Sequence, residues 1–164
     1  MATATYIPIA TQTLGANAAS ITFSSIPGTY TDLRLVLTCT TSAGDAVAVQ
    51  FNGDTGTNYS ITILEGSGTS ASSSKTTSGI KIILNNIAAT STTIPSTHSV
   101  DVFSYASSTN KTLLATSSLD QNGSGEVGLV VGLWRSTAAI TSINLLTNGG
   151  NNFATGTIAT LWGI

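Results

Sequence analysis

Residues 32–39 read Asp-Leu-Arg-Leu-Val-Leu-Thr-Cys. Leu33, Leu35, Leu37 and Cys39 fall at every second position, and Arg34 and Thr38 stand between them. A period of two is the signature of a strand with one buried face. The same alternation recurs on either side. Val47, Val49 and Phe51 repeat it, and Ile61 and Ile63 resume it after a polar loop. Further runs cover residues 19–25, 80–87, 99–105, 111–119, 127–134, 140–146 and 157–164. These make about ten strand candidates, and no convincing helix stands among them.

The composition points the same way. The chain has 164 residues, enough for one domain with its own core. It contains 22 serines and 29 threonines. Threonine is β-branched and suits strands. Charged residues are 7%, against about 25% in ordinary domains. Hydroxyls and amides therefore carry the solubility that charges usually supply. Many short strands separated by turn signals predict an all-β antiparallel sandwich, jelly-roll-like, of about 8–10 strands, as a single domain over residues 1–164. Residues 66–79, GSGTSASSSKTTSG, read as a long exposed loop.

Composition also excludes partners. Five Lys and Arg residues and a net charge of −2 offer no basic stripe for nucleic acid or for an anionic membrane surface. The first residues, MATATYIPIATQT, show neither a basic region nor an apolar stretch, so no signal peptide is expected. Cys39 is alone and reads as a small buried hydrophobe. One Cys and one His build no zinc site, and no cofactor is expected.

The candidates for chemistry are few. His98 and Asp101 are three residues apart, which in an extended chain puts them on opposite faces, and His98 reads as a surface residue entering a strand. The seven carboxylates sit mostly at turns, with no spacing that pairs two for hydrolysis. An enzyme is not expected. The segment Asn52-Gly53-Asp54-Thr55-Gly56-Thr57-Asn58-Tyr59 holds several side-chain oxygens but one carboxylate, too little for calcium. Asn52-Gly53 is a turn signal, and Asp54 is suited to bonding loop backbone. Asp54, Asn58 and Tyr59 also form a candidate glycan-contact loop.

Residues 127–134 and 80–87 look apolar on both faces, which asks for cover on the second face. A second copy of the chain would supply it, so a homo-oligomer is expected. Val130, Trp134, Arg135 and Trp162 are the candidate interface residues. Trp and Arg are enriched where interfaces concentrate their energy. Arg34 is placed to pair with Asp101.

Four segments carry a resemblance: TATYIPIATQTLGANAASITFSSIPGTYTDLRLVL at 3–37, FNGDTGTNYS at 51–60, GLWRSTAAITSINL at 132–145 and NFATGTIATLWGI at 152–164. Together they resemble small virion proteins encoded by tailed bacteriophages, especially those of aquatic bacteria. The resemblance implies a structural protein on the particle exterior, assembled in the host cytoplasm and then part of the virion. It would be a capsid decoration (cement) protein or a tail-fibre-associated component. It would be a homotrimer, and its partners would be the major capsid protein or tail proteins. The resemblance carries no catalytic residue.

Overall fold

The computed structural model describes residues 5–85 and 92–164. Among them are twelve strands and no helix: β1 (Ile7–Thr13), β2 (Ser20–Phe23), β3 (Leu33–Cys39), β4 (Val47–Phe51), β5 (Tyr59–Gly66), β6 (Ala71–Gly79), β7 (Ile82–Ile83), β8 (Ser96–Phe103), β9 (Lys111–Leu119), β10 (Glu126–Trp134), β11 (Ile143–Thr147) and β12 (Ile158–Gly163). They form two antiparallel sheets. The larger has eight strands in the order β1-β12-β3-β8-β9-β10-β5-β6, and the smaller has four in the order β2-β11-β4-β7. The chain is an all-β sandwich with one hydrophobic core between sheets of unequal size.

The alternation in the sequence maps onto this core. Leu33, Leu35, Leu37 and Cys39 on β3 are all buried, as are Val100 and Val102 on the neighbouring β8. Val47, Val49 and Phe51 on β4, with Ile143 and Leu145 on β11, face them from the smaller sheet. Burying this apolar area is the main driving force for the fold.

Two expectations need correction. The stretch expected as a loop at 66–79 contains β6, which pairs with β5 from Gly66↔Ala71 to Tyr59↔Gly79. Its residues from Ala71 to Ser78 are all exposed, so it has no apolar alternation to announce it. The run expected over 80–87 keeps only Ile82–Ile83 as a strand, and Ile87 lies outside the described residues.

The turn at Asn52-Gly53 is real and changes sheets. Asn52 and Gly53 have φ of 52° and 67°, and Asp54 N–H donates to Phe51 C=O at 2.9 Å. Two successive positive φ values mark a tight turn that Asn and Gly tolerate best. Its flanking strands are not hydrogen-bonded to each other. β4 belongs to the small sheet and β5 to the large one, so the turn is a corner of the sandwich.

Candidate functional site

The corner after β4 is built around Asp54. Its carboxylate accepts from Trp134 Nε1 at 2.7 Å, from Asn58 Nδ2 at 2.9 Å and from Gly56 N–H at 2.8 Å. The Trp134 and Asn58 bonds hold its pKa below the usual carboxylate range. Trp134 reaches it from the far end of β10. The Trp134 ring stacks on Tyr59 with an interplanar angle of 16°, and Phe51 closes the group at 5.6 Å from Trp134. The Tyr59 hydroxyl receives Phe51 N–H at 3.0 Å and donates to Asp54 C=O at 3.1 Å. Burial pushes the Tyr59 phenol up to about 12.

These contacts redistribute the candidate residues. Tyr59 is 0% exposed, so its ring offers no stacking platform for a sugar. Trp134 is 2% exposed and Val130 is 0%, so both belong to the core of the subunit and not to its contact surface. Of the expected interface set, Arg135 is exposed and Trp162 is half-buried. Arg135 closes the same corner, its guanidinium bonding Thr57 C=O. Asn58 remains exposed. Arg34 and Asp101 do pair, through Nε–Oδ1 and Nη2–Oδ2 contacts of 2.6 Å each, with Tyr6 against the guanidinium.

The large apolar side chains of β10 lie elsewhere. Val127, Leu129 and Val131 point away from the core and are 63%, 41% and 48% exposed. Leu64, directly opposite Leu129 on β5, is 54% exposed. Leu114 on β9 stands opposite Val131 on the same outer face. Leu64, Ala71, Val127 and Leu129 line a shallow depression of about 410 Å³. The inner face of β10 carries Gly128, Val130, Gly132 and Trp134. Glycine is needed at 132, because a Cβ there would sit 2.9 Å from Ile82 Cδ1 and 3.0 Å from Leu113 Cγ.

The charged residues of this region are inside. Glu65, Lys111 and Glu126, from β5, β9 and β10, are all buried. The Lys111 ammonium donates to Ser107 C=O at 2.8 Å and also bonds Thr109 C=O. These three buried charges share the inner faces with the apolar core, while the outer faces of the same strands carry large apolar side chains and no charge.

A second polar feature lies under the opposite end of these strands. His98 is buried within β8, contrary to the surface position expected for it. The sequence around it, Ser-Thr-His-Ser, disguises a core position as polar. Its Nε2 is 3.1 Å from Ser96 Oγ, which in turn is 3.5 Å from Cys39 Sγ and 3.4 Å from Cys39 C=O. Burial pushes the imidazole down to about 4 and the Cys39 thiol up to about 11. Among the described residues there is no group of three or more His, Cys, Asp or Glu side chains placed to hold a metal, and no helix long and apolar enough to cross a membrane.

Neither a scan against protein-family models nor a search of curated proteins finds a match to this chain.

Proposed function

We propose that the protein is a non-enzymatic structural subunit of a tailed-bacteriophage virion, a capsid decoration protein that works by self-association and by packing onto the particle exterior. The observation that carries this reading is the outer face of β5, β9 and β10. Val127, Leu129, Val131 and Leu64 form one adjacent, largely exposed apolar set. Apolar side chains left in water contribute nothing to folding, and the strand keeps its glycines for the inside. That arrangement is expected of a surface completed by another subunit.

A second copy of the chain is the occupant. The outward positions of β5, β9 and β10 include no charged side chain, and across all four strands from β9 to β6 the one outward charge is Lys75, opposite Thr62, so apolar area rather than charge selects the partner. Four strands from β9 to β6, about 4.8 Å apart and nine residues long, give a flat footprint of roughly 600 Å². Corrugated by side chains, that is of the order of the ~800 Å² each partner buries in a stable complex. The resemblance to phage virion proteins supplies the setting, the trimer and the capsid partner. A surface watered by Ser, Thr and Asn lets subunits crowd without like charges repelling.

The test is mass in solution and copies per particle. Multi-angle light scattering is expected to give a trimer for the wild type and a monomer for Leu129→Glu, with an unchanged β-type circular dichroism spectrum. A monomeric wild type would overturn the reading. Hundreds of copies on the head fit decoration, whereas a few copies at the tail would make the same subunit a tail-fibre component.

A further inference from the structure

The cavity beneath β8, β9 and β10 is lined by Asn85, Ser96, His98, Ser117 and Glu126, and its volume is about 10 Å³. That is the space one water molecule occupies when measured with a water-sized probe. On its wall, His98 Nδ1 and Ser117 Oγ have no hydrogen-bond partner. Both residues are more than nine-tenths buried, so bulk water does not reach them. A buried polar atom left unsatisfied is expensive, and native proteins pair nearly all of them.

The hydrogen-bond chain behind His98 sets what the ligand must do. A carbonyl can only accept, so the Ser96 hydroxyl donates to Cys39 C=O at 3.4 Å. Ser96 Oγ then accepts from His98 Nε2–H at 3.1 Å. A neutral imidazole with its proton on Nε2 presents a bare acceptor at Nδ1. The ligand must donate to Nδ1 and at the same time exchange a hydrogen bond with the Ser117 hydroxyl. The room for that hydroxyl depends on Gly128, since a Cβ at 128 would lie 2.6 Å from Ser117 Oγ.

We propose that this cavity is a built site for a single long-lived water molecule, bridging His98 Nδ1 and Ser117 Oγ. The water is structural mortar between β8 and β9. It satisfies both of these atoms, and it fixes the imidazole in the Nε2–H tautomer. A metal ion is a poor fit, because one imidazole and one carboxylate are the only strong ligands on the wall.

Water–protein NMR cross-relaxation on the wild-type protein tests the site. A cross-peak between a water signal and the His98 ring hydrogens is expected, with the sign of a molecule resident for longer than nanoseconds. The ring nitrogen shifts are expected to report Nε2–H. Assigned ring hydrogens with no water cross-peak, or a proton on Nδ1, would overturn the proposal. Ser117→Val fills the space with a methyl group. It is expected to abolish the cross-peak and to lower the folding constant severalfold, because Nδ1 is then stranded. A rise in stability would count against the site. Should that variant fail to fold, the wild-type spectrum decides alone.

Discussion

Trp134 Nε1 donates to Asp54 Oδ2 at 2.7 Å across 80 residues of sequence. The bond joins the last residue of β10 to the corner that leads from one sheet to the other, and it ties the aromatic group of Phe51, Tyr59 and Trp134 to that corner. Trp134→Phe retains most of the packing and removes the donor. It is expected to lower stability by about 1 kcal/mol, the scale of a partly solvated hydrogen bond to a charged group. Asp54→Ala also removes the acceptor of Asn58 Nδ2 and Gly56 N–H and is expected to cost more, and the double variant should cost less than the sum of the two, since the Trp134–Asp54 bond is lost in both. Equilibrium denaturation of the four proteins checks this, and fully additive losses would contradict it. Asp54 has a lowered folded pKa. Its contribution is therefore present above the ordinary carboxylate value and is lost as pH falls through that lower one.

His98 makes a separate acid sensitivity. Its folded pKa is about 4, against 6.5 for the free side chain. The unfolded chain takes up a proton in this interval and the folded one does not. Stability is fully present above pH 6.5 and falls as pH drops through about 4, by roughly 3 kcal/mol in all at 1.36 kcal/mol per pKa unit. Glu126 is the other titratable group on the cavity wall. His98→Leu is expected to flatten the decline between pH 6.5 and 4.5. A wild-type stability that does not change across that interval would rule the mechanism out.

Gly163 allows the ring of Tyr30 to lie on the backbone of β12. A Cβ at 163 would come within 2.3 Å of Tyr30 Cγ. Gly163→Ala is expected to cost about 1–3 kcal/mol, the range for overpacking a core. Tyr30→Ala should make the same substitution nearly neutral. Thermal melts of the single and double variants test the pair, and a Gly163→Ala melt at the wild-type temperature would disprove the contact.

The Arg34–Asp101 pair has good geometry but stands partly in water, with side chains 35% and 21% exposed. Screening limits such pairs, so a double-mutant cycle should give a coupling of about 1 kcal/mol or less, weaker in 1 M salt. A salt-independent coupling of several kcal/mol would show that the pair is effectively dry.

Much of the core could be read from the chain because burial there follows a period of two. Leu33, Leu35, Leu37 and Cys39 predict their own strand, and Asn52-Gly53 predicts its turn. β6 could not be read, because Ser and Thr on both faces of an exposed strand leave no periodic signal. β1 was hidden by Pro8, which is tolerated only because the strand is an edge and carries an irregularity between Pro8 and Ala10. The pattern at 127–134 is apolar on both faces, so the sequence alone does not say which face is inside. The neighbouring Ile82 and Leu113 mark the inner face, because they crowd any Cβ at 132. The bond from Trp134 to Asp54 and the cavity beside His98 depend on residues far apart in sequence, and no local pattern encodes them.

The terminal strand β6 runs from Ala71 to Gly79, so Lys75 is its middle residue. Were two molecules to join these rims about a two-fold axis through the centre, the lysine of each would stand against its own counterpart, an unfavourable like-charge pair. One ammonium group thus guards an otherwise bland hydroxyl border against this rim-to-rim pairing.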